Sequence, residues 1–304
     1  MTFADVEKSK RCLSRVGYYR LSAYWYPFRR SVALPNLGQH KPPRHIYDEF
    51  VAGTDFDEVF SFYVFDKELR LLVIDALERI EIGLRAQIAN LLGARDIHAH
   101  RNANELHGDF VTKPSPRNGN KTRHQDWLDA QDGKFSKSKE DFAEHFRRKY
   151  QGHHPPIWVA TEVWDWGMLS HFVDGMRHAD KDAIAVLYGN LTGRELVTWV
   201  RSLNDVRNIC AHHSRLWNRG LKVQPKFPNI GDVPLLDHIQ GQTLSQTRVY
   251  AALVIMRIMM TALHPATKWH HRIKELVGRA PTNSIIGIET AGFPHDWSRQ
   301  GMWN

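Results

Sequence analysis

Cysteine is scarce in this chain, which has only Cys12 and Cys210 among 304 residues. That excludes a disulfide framework and a thiolate zinc cluster, and it fits a reducing, cytoplasmic setting. Long hydrophobic runs are also missing. No stretch reaches the roughly 18 uncharged apolar residues of a membrane span. The longest candidate, Ala251 to Leu263, is short and carries Arg257, so it reads as a buried helix. The residues from Met1 to Lys8 lack the apolar core of a signal peptide, so no membrane partner is expected. A Gly-x-x-x-x-Gly-Lys phosphate loop is absent, and Gly189 to Gly193 lacks both the lysine and a preceding strand, which argues against nucleoside-triphosphate hydrolysis. Histidine pairs occur at His153-His154, His212-His213 and His270-His271, with His98 and His100 two apart. No His-Glu-x-x-His helix or cysteine ligand accompanies them, and neither a metal nor another cofactor is expected.

Acidic residues are in the minority, 33 against 41 Lys and Arg, which leaves a formal charge of +8. The excess favours a polyanionic partner, of which nucleic acid is the commonest; a basic protein that is merely soluble is the other reading. With 42% apolar and 11% aromatic residues the chain has enough side chains for a full core. The pattern of those side chains is helical. Val59, Phe62, Leu69, Val73, Leu77, Ile80, Leu84 and Ile88 recur at spacings of three, four and seven, predicting an amphipathic helix from Phe56 to Leu92, or two helices meeting near Phe65-Asp66. An aromatic block from Leu13 to Arg29 predicts a short helix ending before Pro27, followed by a basic loop to about Arg44. Residues 94–125 read as a long loop. Helices are expected over Ser138–Tyr150, Ile157–Met176, 180–189, Arg194–Asn218 and Leu244–Leu263, with a Pro- and Gly-punctuated connector from Gly220 to Asp237 and no convincing strand alternation. The expectation is an all-α bundle with an N-terminal aromatic helical segment (1–50), a helical domain (51–264) and a C-terminal extension (265–304).

On the helix after Arg194, Asn204, Asn208, His212 and Arg215 lie at offsets of four, eight and eleven, forming one polar stripe beside Leu196, Val200, Leu203, Val206 and Ile209. Arg207 and His212 are five apart, so their directions diverge by roughly 140°. Arg offers a planar fork for phosphate, and an imidazole moves protons near neutral pH. Two readings stand. Arg207, Asn208 and His212 form a phosphodiester site, or they are an interior hydrogen-bond network joining helices. Cys210 reads as a small buried apolar residue, and Trp158, Trp164 and Trp166 read as core. Arg20, Arg29, Arg30, Lys41 and Arg44 interleave with Tyr18, Tyr19, Tyr24, Trp25 and Tyr26. The tyrosines and the tryptophan read as core, and the basic residues as either a solvated rim or RNA contacts.

Arg207-Asn208 followed by His212 resembles the Arg-x4–6-His signature of the HEPN superfamily, whose active members are metal-independent ribonucleases on a helical bundle. More specific are four blocks similar to Abi-like proteins, the AbiD/AbiF-type factors of bacterial abortive infection. They run from Gly17 to Arg29, from Phe65 to Arg70 leading into Glu78 to Arg85, from Pro155 to Ser170, and from Leu203 to Asn218. The tail from Gly292 to Trp297 is also similar. The resemblance implies a HEPN-like bundle that cuts RNA to a 2′,3′-cyclic phosphate, with Arg207, Asn208 and His212 catalytic and His213 and Arg215 as accessories. Glu81 and Arg85 are candidates to complete the site, or else an ordinary i,i+4 ion pair. One Arg/His pair supplies a single proton-transfer group, so a homodimer is expected to supply the second. A small structured RNA or another antitoxin is a further expected partner. The alternative is a non-catalytic RNA-binding or scaffold protein of a phage-defence or toxin–antitoxin system.

Overall fold

The computed structural model describes residues 1–34, 44–283 and 285–304. Two helices, α1 (Val6–Val16) and α2 (Tyr18–Trp25), replace the single expected N-terminal helix. Gly17 separates them with φ at +92°, a conformation glycine adopts without strain. Pro27 ends the second in a short 3₁₀ turn, as the sequence implies. The basic stretch that follows is not simply a loop. Its ends form an antiparallel hairpin, β1 (Arg29–Ala33) with β2 (Arg44–Phe50). Both strands are largely exposed, so they lack the alternation of a half-buried strand that would mark them in sequence.

The centre of the fold is α3 (Phe56–Gly93), 38 residues without a break. Asp55 caps it, accepting the amides of Asp57 and Glu58. The expected apolar positions from Val59 to Ile88 are buried, and the alternative break near Phe65-Asp66 does not occur. Beyond it, the expected loop of residues 94–125 contains a short helix, α4 (Gly108–Thr112), and runs into α5 (Arg123–Lys137), which the sequence reading missed. Only Trp127 and Phe135 are buried large apolar side chains on α5, too few to print a helical period. Helix α6 spans Asp141–Lys149. The Trp-rich stretch after it is broken, with α7 (Ile157–Ala160) and α8 (Trp166–Gly175) separated by a turn in which Asp165 caps the second. Trp164 and Trp166 are buried as expected, but Trp158 is 49% exposed and lies over Gly93.

Helices α9 (His178–Ala185) and α10 (Gly193–Ala211) pack against each other and against α3. After a long connector come α11 (Thr243–Thr247), α12 (Val249–Leu263) and α13 (Trp269–Gly278). Helix α12 is buried on nearly every side, which accounts for its continuous apolar run. Among the described residues, no helix is long and apolar enough to cross a membrane. Residues of all three expected segments share one continuous core: Phe28 packs near Phe62, the Trp269 indole donates to the Leu72 carbonyl (2.8 Å), and the Trp303 indole donates to the Tyr250 hydroxyl (3.2 Å).

Candidate active site

Helix α10 begins with a capping box, in which Thr192 and Glu195 satisfy each other's backbone amides, and its expected apolar face is buried. It ends at Ala211, seven residues before the predicted end. The amide of His213 donates to the Cys210 carbonyl (3.0 Å) and that of Ser214 to the Ile209 carbonyl (2.9 Å), closing the helix as a Schellman turn. His213 occupies the left-handed position with φ at +54°, where glycine is the usual residue. Arg215 therefore lies beyond the helix, and the predicted stripe stops at His212, whose own amide donates to the Asn208 carbonyl (3.0 Å).

The turn is held from below by Asp66, which is fully buried on α3. Its carboxylate accepts the amides of Leu216 (3.1 Å) and Trp217 (2.6 Å), the Tyr24 hydroxyl (2.5 Å) and the Arg70 guanidinium. Arg70 also donates to the Tyr24 oxygen and to the Ser214 carbonyl (3.4 Å). Burial pushes the Asp66 carboxyl upward while Arg70 and the hydrogen bonds pull it down. Three separated sequence blocks thus meet at one carboxylate: the aromatic block through Tyr24, the α3 block through Asp66 and Arg70, and the motif block through Leu216 and Trp217. None of these residues was anticipated as part of a site. A signal was present, because at about 100° per residue Asp66 falls among Leu69, Val73 and Leu77 on the apolar face of α3.

Above the turn lies an open cleft of about 510 Å³. His212 and His213 line it together with Arg20, Arg215 and Arg219, and Tyr19 stands on its rim, 89% exposed. Arg20 donates to the His213 carbonyl (2.7 Å) and Arg215 to the Ala23 carbonyl (2.5 Å). Burial lowers the pKa of the Arg215 guanidinium from its ordinary value, against the pull of Asp66, and the charges of Arg219 and Arg248 add to the lowering. Among the described residues, no carboxylate forms an ion pair with any of the three cleft arginines. Three cations gathered without a directly paired carboxylate form a local field that suits an anion, with the buried Asp66 offsetting part of it at Arg215. Tyr24 and Trp25 are buried as expected, whereas Tyr18, Tyr19 and Tyr26 are exposed, contrary to their reading as core.

Arg207 and Asn208 do not line this cleft. The Arg207 guanidinium donates to the Asn208 side-chain oxygen (3.0 Å) and faces a second group of charges. Glu81 and Arg85 form the anticipated ion pair, with Arg85 also donating to the Trp164 carbonyl. Burial raises the Glu81 carboxyl, against the pull of Arg85 and Arg207, while Asp165 lies in the field of Lys134 and Arg207. The five-residue separation that turns Arg207 away from His212 on a helix accounts for the division into two clusters. Of the remaining candidates, Arg29 pairs with Asp48, Arg30 pairs with Glu49 (2.5 Å), and Arg44 donates to the Ser31 hydroxyl (2.8 Å), all on the hairpin and outside the cleft lining. Lys41 lies outside the described residues. Cys210 is buried, and burial pushes its thiol up to about 12, so it is packing and not a nucleophile.

A family model described as Abi-like protein matches residues 11–218, which span the three blocks joined at Asp66 and end just after the turn. The chain belongs to the Abi-like family. Searches of curated proteins and of solved structures found no significant match. Membership associates this Abi-like protein with abortive infection, the phage-defence response that gives the family its name. The matched segment contains α3 and α10 whole, but α12 and α13, which complete the core around them, lie beyond it.

Proposed function

We propose that this Abi-like protein is a metal-independent endoribonuclease of the HEPN type, acting in bacterial abortive infection. The observation that carries the reading is the cleft in which His212 and His213 stand beside three arginines with no carboxylate partner. In this mechanism the RNA 2′-oxygen attacks the adjacent phosphorus, and the bond from phosphorus to the 5′-oxygen breaks. The products are a 2′,3′-cyclic phosphate and a 5′-hydroxyl. One imidazole takes the 2′-hydroxyl proton, and a second proton-transfer group delivers a proton to the departing 5′-oxygen. His213 or a second copy of the chain supplies that group. Arg20, Arg215 and Arg219 hold the non-bridging oxygens and offset their developing charge. A base stacks on Tyr19. A small structured RNA or another antitoxin would neutralise the activity by filling the same cleft.

A second reading has its own support, because Arg207, the arginine of the matched motif, faces Glu81 and not His212. On that reading the protein binds RNA without cutting it and serves as a scaffold in a phage-defence or toxin–antitoxin system. Purified wild type and His212→Ala, matched for helicity, are incubated with total RNA in excess EDTA and the ends of the products are analysed. The ribonuclease reading expects cyclic-phosphate ends from wild type and a loss of about 100-fold or more in His212→Ala. Retained RNA binding with no cleavage by either protein selects the scaffold, and equal cleavage by both removes His212 from the mechanism.

A further inference from the structure

Helix α3 buries one face in the core and leaves the opposite face open. Along that face Val64, Lys67, Leu71, Ile74, Glu78 and Ile82 are all exposed, at successive spacings of three, four, three, four and four. A solvated helix face is ordinarily polar, yet four of these six are large aliphatics, with Leu71 60% and Ile82 56% exposed. From Val64 to Glu78 the spacing is that of a coiled-coil seam, in which the contacting positions recur every 3.5 residues, and Ile82 extends the same face by one more turn. Helix α13 covers only one flank, through the Trp269 indole on the Leu72 carbonyl and the ion pair of Arg272 with Asp75 (3.3 Å). Among the described residues, neither Lys67 nor Glu78 forms an ion pair, although their neighbours Glu68, Asp75 and Arg79 all do.

We infer that this stripe is the contact surface for a second copy of the chain, with the two α3 helices packed antiparallel. The stripe is self-complementary in one register. With the two-fold axis between positions 72 and 73, Leu71 of one copy meets Ile74 of the other and Lys67 meets Glu78. Val64 lies against the turn that carries Ile82. Each copy supplies both members of every pair, as an isologous interface requires. A parallel pairing in the same stripe would set Lys67 against Lys67 and Glu78 against Glu78, which opposes it electrostatically. The contact from Val64 to Ile82 extends over about 27 Å.

The two-fold axis of such a pair runs across both helices in the plane of contact, so a group on one flank of α3 has its mate on the same side of the pair. Arg70, which reaches the cleft through Tyr24 and Ser214, lies on the flank opposite α13, roughly 100° from Leu71. Antiparallel pairing therefore sets both clefts on one side of the dimer. The inference stands on α3 alone and holds whether or not the clefts cut RNA.

Sedimentation of the full chain without RNA tests it, with circular dichroism confirming that each variant is folded. Wild type is expected to be a dimer and Leu71→Asp a monomer. Lys67→Glu and Glu78→Lys each create like-charge pairs and are expected to weaken the dimer about tenfold or more. Mixing those two single variants is expected to restore it, because every pair across the resulting heterodimer is again opposite in sign. A monomeric wild type, a dimer indifferent to Leu71→Asp, or charge exchanges without effect would each overturn the proposal. Loss of cleavage in a protein that remains dimeric would touch only the ribonuclease reading.

Discussion

A carboxylate with no contact to solvent must find all its partners inside the protein, and Asp66 finds four: two backbone amides, a phenol and a guanidinium. Asp66→Asn turns one of the two acceptor oxygens into a donor, facing either Arg70 and the Tyr24 hydroxyl or the Trp217 amide. The variant is expected to lose about 3 kcal/mol or more of stability, measured by urea denaturation, because breaking a buried pair leaves its partner uncompensated. The turn that this network supports carries a cost of its own at His213. His213→Gly relieves the left-handed backbone and is expected to gain about 1 kcal/mol in the same assay. It also removes an imidazole from the cleft, so its affinity for single-stranded RNA is expected to fall. A stabilised variant with unchanged affinity would make His213 a bystander.

Elements that bury a full helical face, such as α3 and α12, were legible in the sequence because burial imposes their spacing. The hairpin and α5 were not, since exposed strands and a helix with two large buried side chains impose little pattern. Asp66 misled for a related reason. A charge on an apolar face reads as a break in the helix, and although Arg70 is only four residues away, the other partners that make it tolerable lie 42 to 151 residues away in sequence. The motif residues were legible by position. Their separation into two clusters followed from the angle between Arg207 and His212, whereas the route by which Arg215 reaches the cleft depended on a helix end that its sequence does not mark with glycine. The placement of α10 against α9 rests on a close approach at Gly193, where an added Cβ would sit 2.4 Å from the Lys181 Cβ and 3.0 Å from the Asp182 nitrogen. Neither atom can swing aside. Gly193→Ala is therefore expected to cost about 1–3 kcal/mol in spite of alanine's better helix propensity, again read from urea denaturation.

Across the whole molecule, burial holds several histidines in the neutral form. It lowers the pKa of His100 to about 3 and that of His270 to about 4, from a usual 6.5, and it lowers His124, His171 and His238 as well. The unfolded chain binds these protons first as the pH drops, so the stabilisation is complete above about pH 6.5 and is lost progressively toward pH 4 and below. Both ring nitrogens of His100 lack a hydrogen-bond partner, which makes His100→Phe a direct check. Denaturation at a series of pH values is expected to show a shallower acid limb for this variant, by up to about 1.4 kcal/mol per pH unit. The sharing of one core by distant segments also has a consequence in time. Helix α3 is complete at Gly93, but the side chains that enclose it include Trp269, and the Trp303 indole is bonded to Tyr250. A ribosome adding about 5–20 residues per second needs roughly 10–40 s to travel from the first point to the last. During that interval the nascent chain has its longest helix but not its finished core, so each new molecule passes through a delay, set by the rate of translation, before its cleft takes shape.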